Sequence, residues 1–174
     1  DGGKGWTNVT PKDMPDFGRV SQIDASAFNA GAAYISVRRP LLDDRAPYIF
    51  RTADYGKTWT KIVNGIKDDH FTRVIRADSK RKGLLFAGTE FGLYASWDGG
   101  ARWTHLEKTI PTASVMDLLI HPREHDLVIA THGRALYVLE EQTEAPKLKR
   151  AIVAVRLDVE AARYRHGQAL PEER

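Results

Sequence analysis

The chain has 174 residues, 42% of them apolar, with 26 Lys and Arg against 23 Asp and Glu and no Cys. No apolar run is long enough to span a bilayer as a helix, and the lack of cysteine excludes disulfides, thiolate metal sites and cysteine nucleophiles together. The formal charge of +3 arises in the segment Ala145 to Arg174, where seven Lys/Arg meet four Asp/Glu; the first 144 residues balance at 19 against 19, so no basic surface for nucleic acid is predicted.

The chain opens on Asp1-x-Gly3-x-x-Trp6, a partial copy of a pattern that recurs in full as Thr52-x-Asp54-x-Gly56-x-x-Trp59 and Ser96-x-Asp98-x-Gly100-x-x-Trp103. Hydroxyl and carboxylate oxygens at those offsets accept hydrogen bonds from turn amides, and the glycine supplies a left-handed backbone position. The tryptophan starts the next strand, where its ring covers the hairpin and its N–H finds a backbone acceptor. These motif residues are therefore read as structural. Trp6 to Thr10 is predicted to be a fourth strand belonging to a preceding unit, so that 1–18 reads as last strand plus link.

Runs rich in β-branched and aromatic residues then mark the strands Val20–Ser26, Ala32–Val37, Tyr48–Thr52 and Trp59–Val63 of a first complete unit, 19–63. A second unit covers 70–106 and a third 114–143. The second and third align as Phe86 on Ile129, Ala87 on Ala130, Leu93 on Leu136 and Tyr94 on Tyr137. The third is predicted to lack a fourth strand, because no aspartate-glycine turn or tryptophan follows Leu139. The tail 144–174 combines a basic cluster at Lys147, Lys149 and Arg150 with an apolar alternation from Ala151 to Val159, and reads as an extension that adds one strand outside the propeller or begins a following element.

The motif aspartates lie 53 and 44 residues apart, about the 40 to 50 residues of one four-stranded propeller blade. The fold class is all-β, with about three blades of four antiparallel strands. Closure needs about four to eight blades, so the chain reads as the C-terminal portion of a larger ring whose remaining blades lie in the same protein or another chain. Pairing of two copies into a six-bladed ring is the alternative.

The motif resembles the Asp-box of BNR repeats, found in sialidases, xyloglucan-cleaving glycoside hydrolases, sortilin-type receptors and photosystem assembly factors. Through the runs GTEFGLYASWDGGARW and THGRALYVLEE and the tail piece Arg163-Tyr164-Arg165-His166-Gly167, the chain resembles bacterial glycosyl hydrolase-like proteins with a sortilin-like, VPS10-type propeller. The resemblance implies a secreted or periplasmic protein with a polysaccharide or peptide ligand. If it is an enzyme, it is a glycoside hydrolase, and the isolated chain is expected to be inactive. The same box occurs in hosts of several activities, so the fold alone does not assign one.

Asp-box turns lie on one face of such a disc, and the second-to-third hairpins and inter-blade links on the other, where a site is expected. Candidates for binding are Arg38, Arg39, Asp43, Asp44 and Arg45 in the longest hairpin and Arg134 in the last; a solvated loop with internal ion pairs is the plainer reading. Catalytic candidates are Asp68 and Asp69 before an inner strand, Glu90 and His132 in equivalent hairpins, and Asp117 on an inner strand. His121 and His125 are four apart but in a turn around Pro122, which rules out a shared helical face, so no metal is assigned, and no cofactor. Three functions compete: a carbohydrate hydrolase-like propeller, a non-catalytic protein- or peptide-binding propeller, and an assembly factor.

Overall fold

The computed structural model describes residues 2–107, 110–139 and 151–153. Its strands are β1 (Arg19–Ala25), β2 (Ala33–Arg39), β3 (Asp44–Thr52), β4 (Thr60–Lys61), β5 (Thr72–Ala77), β6 (Leu85–Thr89), β7 (Gly92–Ser96), β8 (Thr104–His105), β9 (Val115–Ile120), β10 (Leu127–Thr131), β11 (Leu136–Leu139) and β12 (Ala151–Val153). They form three antiparallel sheets in chain order, β1 to β4, β5 to β8 and β9 to β12. The described residues contain no α-helix, and a 3₁₀ turn at Pro40–Leu42 interrupts the β2–β3 connection.

The third sheet is complete, which corrects the three-stranded reading of that unit. Its fourth strand is β12, drawn from the segment assigned to the tail and paired with β11 as Tyr137↔Val153, Val138↔Ile152 and Leu139↔Ala151. An exposed strand edge leaves backbone donors and acceptors unpaired, and β12 covers it. No Asp-box turn introduces this strand, so the signal that marks β4 and β8 is absent. At the other end, residues 6–10 join no sheet among the described residues; a strand needs a partner edge, and none is described for them.

The pairing also corrects the alignment of the second and third units by one residue. Tyr94 faces Ala87 and Tyr137 faces Ile129, so Ala87 rather than Phe86 corresponds to Ile129. Strands β6 and β7 are buried at every position. A strand covered on both faces is apolar throughout and carries no period-two signal to fix its register.

The sheets stack face to face. Tyr34, Ile49, Ile75, Leu85, Tyr94 and Trp103 pack in one core cluster, and Val74, Phe86, Leu93, Val115, Leu118 and Ile129 in another. The first strands of successive sheets lie side by side. Ser21 and Ser36 hydroxyls donate to the Arg73 carbonyl at 2.6 and 3.1 Å, the Asp24 carboxylate accepts the Ala77 N–H at 2.6 Å, and Arg76 Nε donates to the Leu118 carbonyl at 2.6 Å. These bonds make β1, β5 and β9 the inner edge of an arc, with β4, β8 and β12 at its outside.

Both full Asp-boxes close the expected way. The Gly56 N–H donates to Thr52 Oγ1 at 2.9 Å, Thr52 Oγ1 donates to Asp54, and Asp54 accepts the Thr58 N–H at 2.9 Å and the Thr58 hydroxyl at 2.6 Å. Ser96, Asp98, Gly100 and Arg102 repeat the scheme. Hydrogen bonds from the Thr58 hydroxyl and then its amide hold the Asp54 carboxyl down at about 2. A depressed carboxyl adds stability that is present above the ordinary aspartate value of about 3.9 and is lost as pH falls through the folded value. The Asp54 contribution therefore disappears between about pH 4 and about pH 2, and Asp54→Asn is expected to flatten the melting-temperature curve in that window relative to the parent chain.

Candidate functional site

Links and second-to-third hairpins meet at the end of the arc where β1, β5 and β9 begin. The Glu90 N–H donates to the Phe71 carbonyl at 3.2 Å, and the His132 N–H to the Ser114 carbonyl at 2.9 Å, tying each hairpin to the link beside it. On this rim, antiparallel pairing sets Arg19 of β1 directly opposite Arg38 of β2. Ser21 and Ser36, each two residues further along, hold the backbone of Arg73, so a third arginine enters from β5 within one pleat of the pair.

Arg73 is already matched. Its Nε donates to Glu90 Oε2 at 2.8 Å, its Nη2 contacts the same oxygen, and its guanidinium lies over the Phe71 ring at 4.9 Å. The Ser114 hydroxyl donates to that Glu90 oxygen at 2.9 Å. Among the described residues, neither Arg19 nor Arg38 has a carboxylate within ion-pair distance. Burial, then the charges of Arg73 and Arg19, lower the Arg38 guanidinium below its ordinary value. Like charges directly opposite one another destabilise a sheet, and the acid that acts on Arg38, Glu90, is bonded to Arg73 and stands beyond ion-pair distance of the pair.

A second charged layer lies deeper along the inner strands. Arg76 of β5 reaches Asp24 of β1 at 3.4 Å and Asp117 of β9 at 3.3 Å. Burial raises the Asp24 carboxyl, against the Ala77 amide and the Arg76 charge. This Asp24–Arg76–Asp117 bridge ties three sheets together.

The remaining candidates separate in space. Arg39 Nη1 donates to Asp44 at 2.9 Å, and the Tyr48 hydroxyl donates to the same oxygen at 2.8 Å. Burial opposes ionisation of Asp44, but these bonds and the Ala46 amide outweigh it and lower its carboxyl. Asp43 and Arg45 are exposed and 4.0 Å apart. Asp68 and Asp69 are exposed on the link, with Asp69 at 3.8 Å from His70. The His70 ring packs against Tyr94 of β7 and His105 of β8, so this pair lies toward the outer strands. His132 and Arg134 are exposed, in a hairpin closed by its own Thr131 and Ala135. His125 is buried at 3.4 Å from Asp78. Among the described residues no group of three His, Cys, Asp or Glu side chains is placed to hold a metal.

Sequence reading did not single out Arg19, Arg73, Arg76 or Asp24. Each is an ordinary polar position of a strand until the register of β1 on β2 and the contact of β5 with both neighbours are known.

Three stacked four-stranded sheets with Asp-box hairpins and adjacent first strands define a segment of a β-propeller. The chain belongs to the Sortilin-Vps10 family, described as sortilin, neurotensin receptor 3, whose model matches residues 47–153. Similar folds are a GH74 xyloglucanase from Xanthomonas campestris (TM-score 0.63, 19% identity over 85% of this chain and 24% of that one) and a GH74 enzyme from Niastella koreensis (0.60, 16%, 79% and 22%). YCF48 bound to a D1 peptide is another (0.57, 21%, 84% and 44%). The chain spans less than half the length of each of these structures. No curated protein sequence matches it. No helix among the described residues is long and apolar enough to cross a membrane.

Proposed function

We propose that the chain is part of a non-catalytic, ligand-binding propeller that recognises an acidic peptide at the rim formed by Arg19, Arg38 and Arg73. The observation that carries this reading is the Arg19↔Arg38 cross-strand pair, held opposite each other with no carboxylate at ion-pair distance among the described residues. A ligand carboxylate on those two guanidinia would relieve their repulsion and form charge-assisted hydrogen bonds. Leu41, 94% exposed, and Leu42 stand in the turn that follows Arg38 and Arg39, which suits a peptide with apolar residues beside its acids. The peptide held by YCF48 supplies the ligand class by analogy of fold. Placement outside the cytoplasm and completion of the ring by further blades follow from the family in the same way.

Hydrolysis of a glycosidic bond is the second reading, and it would rest on Asp24 and Asp117. Such chemistry needs one carboxyl free to give a proton and another free to act as base or nucleophile. Here both sit on one guanidinium, and Asp24 also accepts the Ala77 N–H. Glu90 is committed to Arg73 and Ser114. No release of reducing sugar from xyloglucan is expected.

The binding reading is tested by fluorescence anisotropy with a labelled peptide of alternating glutamate and leucine and its glutamine counterpart. A charge-assisted hydrogen bond contributes about 1.5–3 kcal/mol, so Arg38→Gln is expected to weaken the acidic peptide about tenfold or more while leaving the melting temperature equal or slightly raised. Equal affinity for both peptides, or an unchanged affinity in Arg38→Gln, contradicts it.

A further inference from the structure

A cavity of about 170 Å³ opens between the first and second sheets. The arginine rim lies where Arg19 faces Arg38; the cavity lies at the other end of the same strands, past Ala25 opposite Ala33. Its walls are fixed by hydrogen bonds. The Asp78 N–H donates to the Leu84 carbonyl at 2.9 Å, and Asp78 Oδ1 accepts the Lys80 and Arg81 N–H groups at 2.7 and 2.6 Å, which closes the turn that carries Lys82. The Gly99 N–H donates to the Gly83 carbonyl at 2.8 Å, and the Gly99 carbonyl accepts from Arg51 Nη1 at 3.3 Å. Arg51 of the first sheet and the turn of the second are thus tied to one residue.

Tyr34 is 8% exposed and lines the cavity, with its ring in the core cluster that holds Ile49, Ile75 and Leu85. Its hydroxyl bonds to no protein group among the described residues, and the oxygen keeps contact with the open space of the cavity. Buried hydroxyls are as a rule paired, and the neighbours in its row cannot serve. Asp24, opposite on β1, is held by the Ala77 N–H and Arg76, and Arg51, opposite on β3, has only donors to offer.

The lining as a whole is rich in donors and short of acceptors. One of the five N–H groups of Arg51 is on Gly99. Lys82 is exposed, with no carboxylate at ion-pair distance among the described residues. Asn29 Oδ1 and Ser26 Oγ already accept the Gly31 and Phe28 N–H groups, which leaves the Asn29 amide hydrogens and the Ser26 O–H to donate. Asp78 is the acid of the lining, and its Oδ1 is filled by the turn and stands 3.4 Å from His125 Nε2.

We infer that this cavity is a binding site, separate from the rim, for a compact monocarboxylic acid with an apolar body. The carboxylate accepts from the Tyr34 O–H and from Arg51, and Lys82 adds a second positive charge; bonds of this charge-assisted kind are the strong ones. Burial raises the Tyr34 phenol above its ordinary value, so the hydroxyl keeps its proton at neutral pH. The apolar body meets Leu84 and Leu85, both buried, and Phe28, 45% exposed. Size sets the class: a cavity of about 150 Å³ accommodates benzene, so an acid with one ring or a short branched chain fills this one.

The test titrates the intact chain with sodium benzoate, and separately with benzamide, at constant ionic strength, followed by nitrogen-correlated NMR. Saturable benzoate shifts are expected at the amides of residues 28–34, 51–53 and 82–85. Benzamide is expected to bind about tenfold more weakly, and benzoate about tenfold more weakly in Tyr34→Phe and in Arg51→Gln. Because the Tyr34 hydroxyl holds no protein group, the melting temperature of Tyr34→Phe without benzoate is expected to match the parent. Equal binding of benzoate and benzamide, equal benzoate affinity in Tyr34→Phe and the parent, or shifts confined to the amides around Arg19 and Arg38 overturns the proposal. So does the lack of any saturable shift, which leaves the cavity to water.

Discussion

Trp103→Ala is expected to lower unfolding free energy by about 4 kcal/mol, whereas Trp6→Ala changes it by less than about 0.5 kcal/mol. The two residues occupy the same place in the same motif, so motif membership predicts equal costs and burial predicts unequal ones. Trp103 is enclosed by Ile62, Ile66 and Tyr94 between the first and second sheets, and its indole N–H satisfies the Ile62 carbonyl. Truncation opens a cavity of aromatic size and leaves that buried carbonyl without its donor, which are separate penalties. Trp6 is 91% exposed, and among the described residues its indole N–H donates to the Gly3 carbonyl three residues back. Urea unfolding of both variants, read by circular dichroism, measures the difference.

Gly65→Ala is the second substitution with a large effect, about 3 kcal/mol or more. Gly65 stands in the link after β4 with φ +96°, where an L side chain is strained. A Cβ there would also overlap the Trp103 carbonyl oxygen, a backbone atom that no rotamer change can move. That backbone is fixed from two sides, by the Trp103 N–H donating to the Asn64 carbonyl at 2.8 Å and by Asn64 Nδ2 donating to the Ala101 carbonyl at 3.0 Å. Relief requires the link and the second box to separate. The contrast is Gly133→Ala, where φ is +72° but no atom lies within 4 Å of the added carbon; it is expected to cost only the conformational part, about 1 kcal/mol. Thermal melts of the two variants separate collision from strain.

How far the sequence carried the architecture depends on how local each signal is. The boxes were legible because their hydrogen bonds join residues two to four apart, as the Thr52–Asp54–Gly56–Thr58 set shows. Hairpins such as β6–β7 were legible because a glycine and a polar pair separate two apolar runs. The pairing of β12 with β11 was not, since the residues between them carry no turn motif and β12 has no tryptophan. The one-residue slip between Phe86 and Ile129 has another cause: β6 and its partner β7 are buried at every position, so β6 carries no alternation to fix its register.

The site was less legible than the fold. Arg38 was named for the charge of its loop, but its significance comes from Arg19, nineteen residues earlier in sequence, and from Arg73 in the next sheet. Neither proximity is visible until the strand register is fixed. Arg39 and Asp44, which looked equivalent to Arg38 in sequence, are joined to each other and to Tyr48 and so support the loop. Asp117 appeared as a lone inner-strand carboxylate because its partner Arg76 is on a different sheet.

The central claim is that the arginine rim, and not the inner carboxylates, meets the ligand. Arginine side-chain Nε–Hε signals, assigned by substitution and followed by NMR during titration with the alternating glutamate and leucine peptide, test it most directly. The account predicts that the Arg19, Arg38 and Arg73 signals move together and saturably while Arg76 stays in place on Asp24 and Asp117. Movement of Arg76 with the rim signals unchanged would contradict it and place the ligand on the carboxylates below.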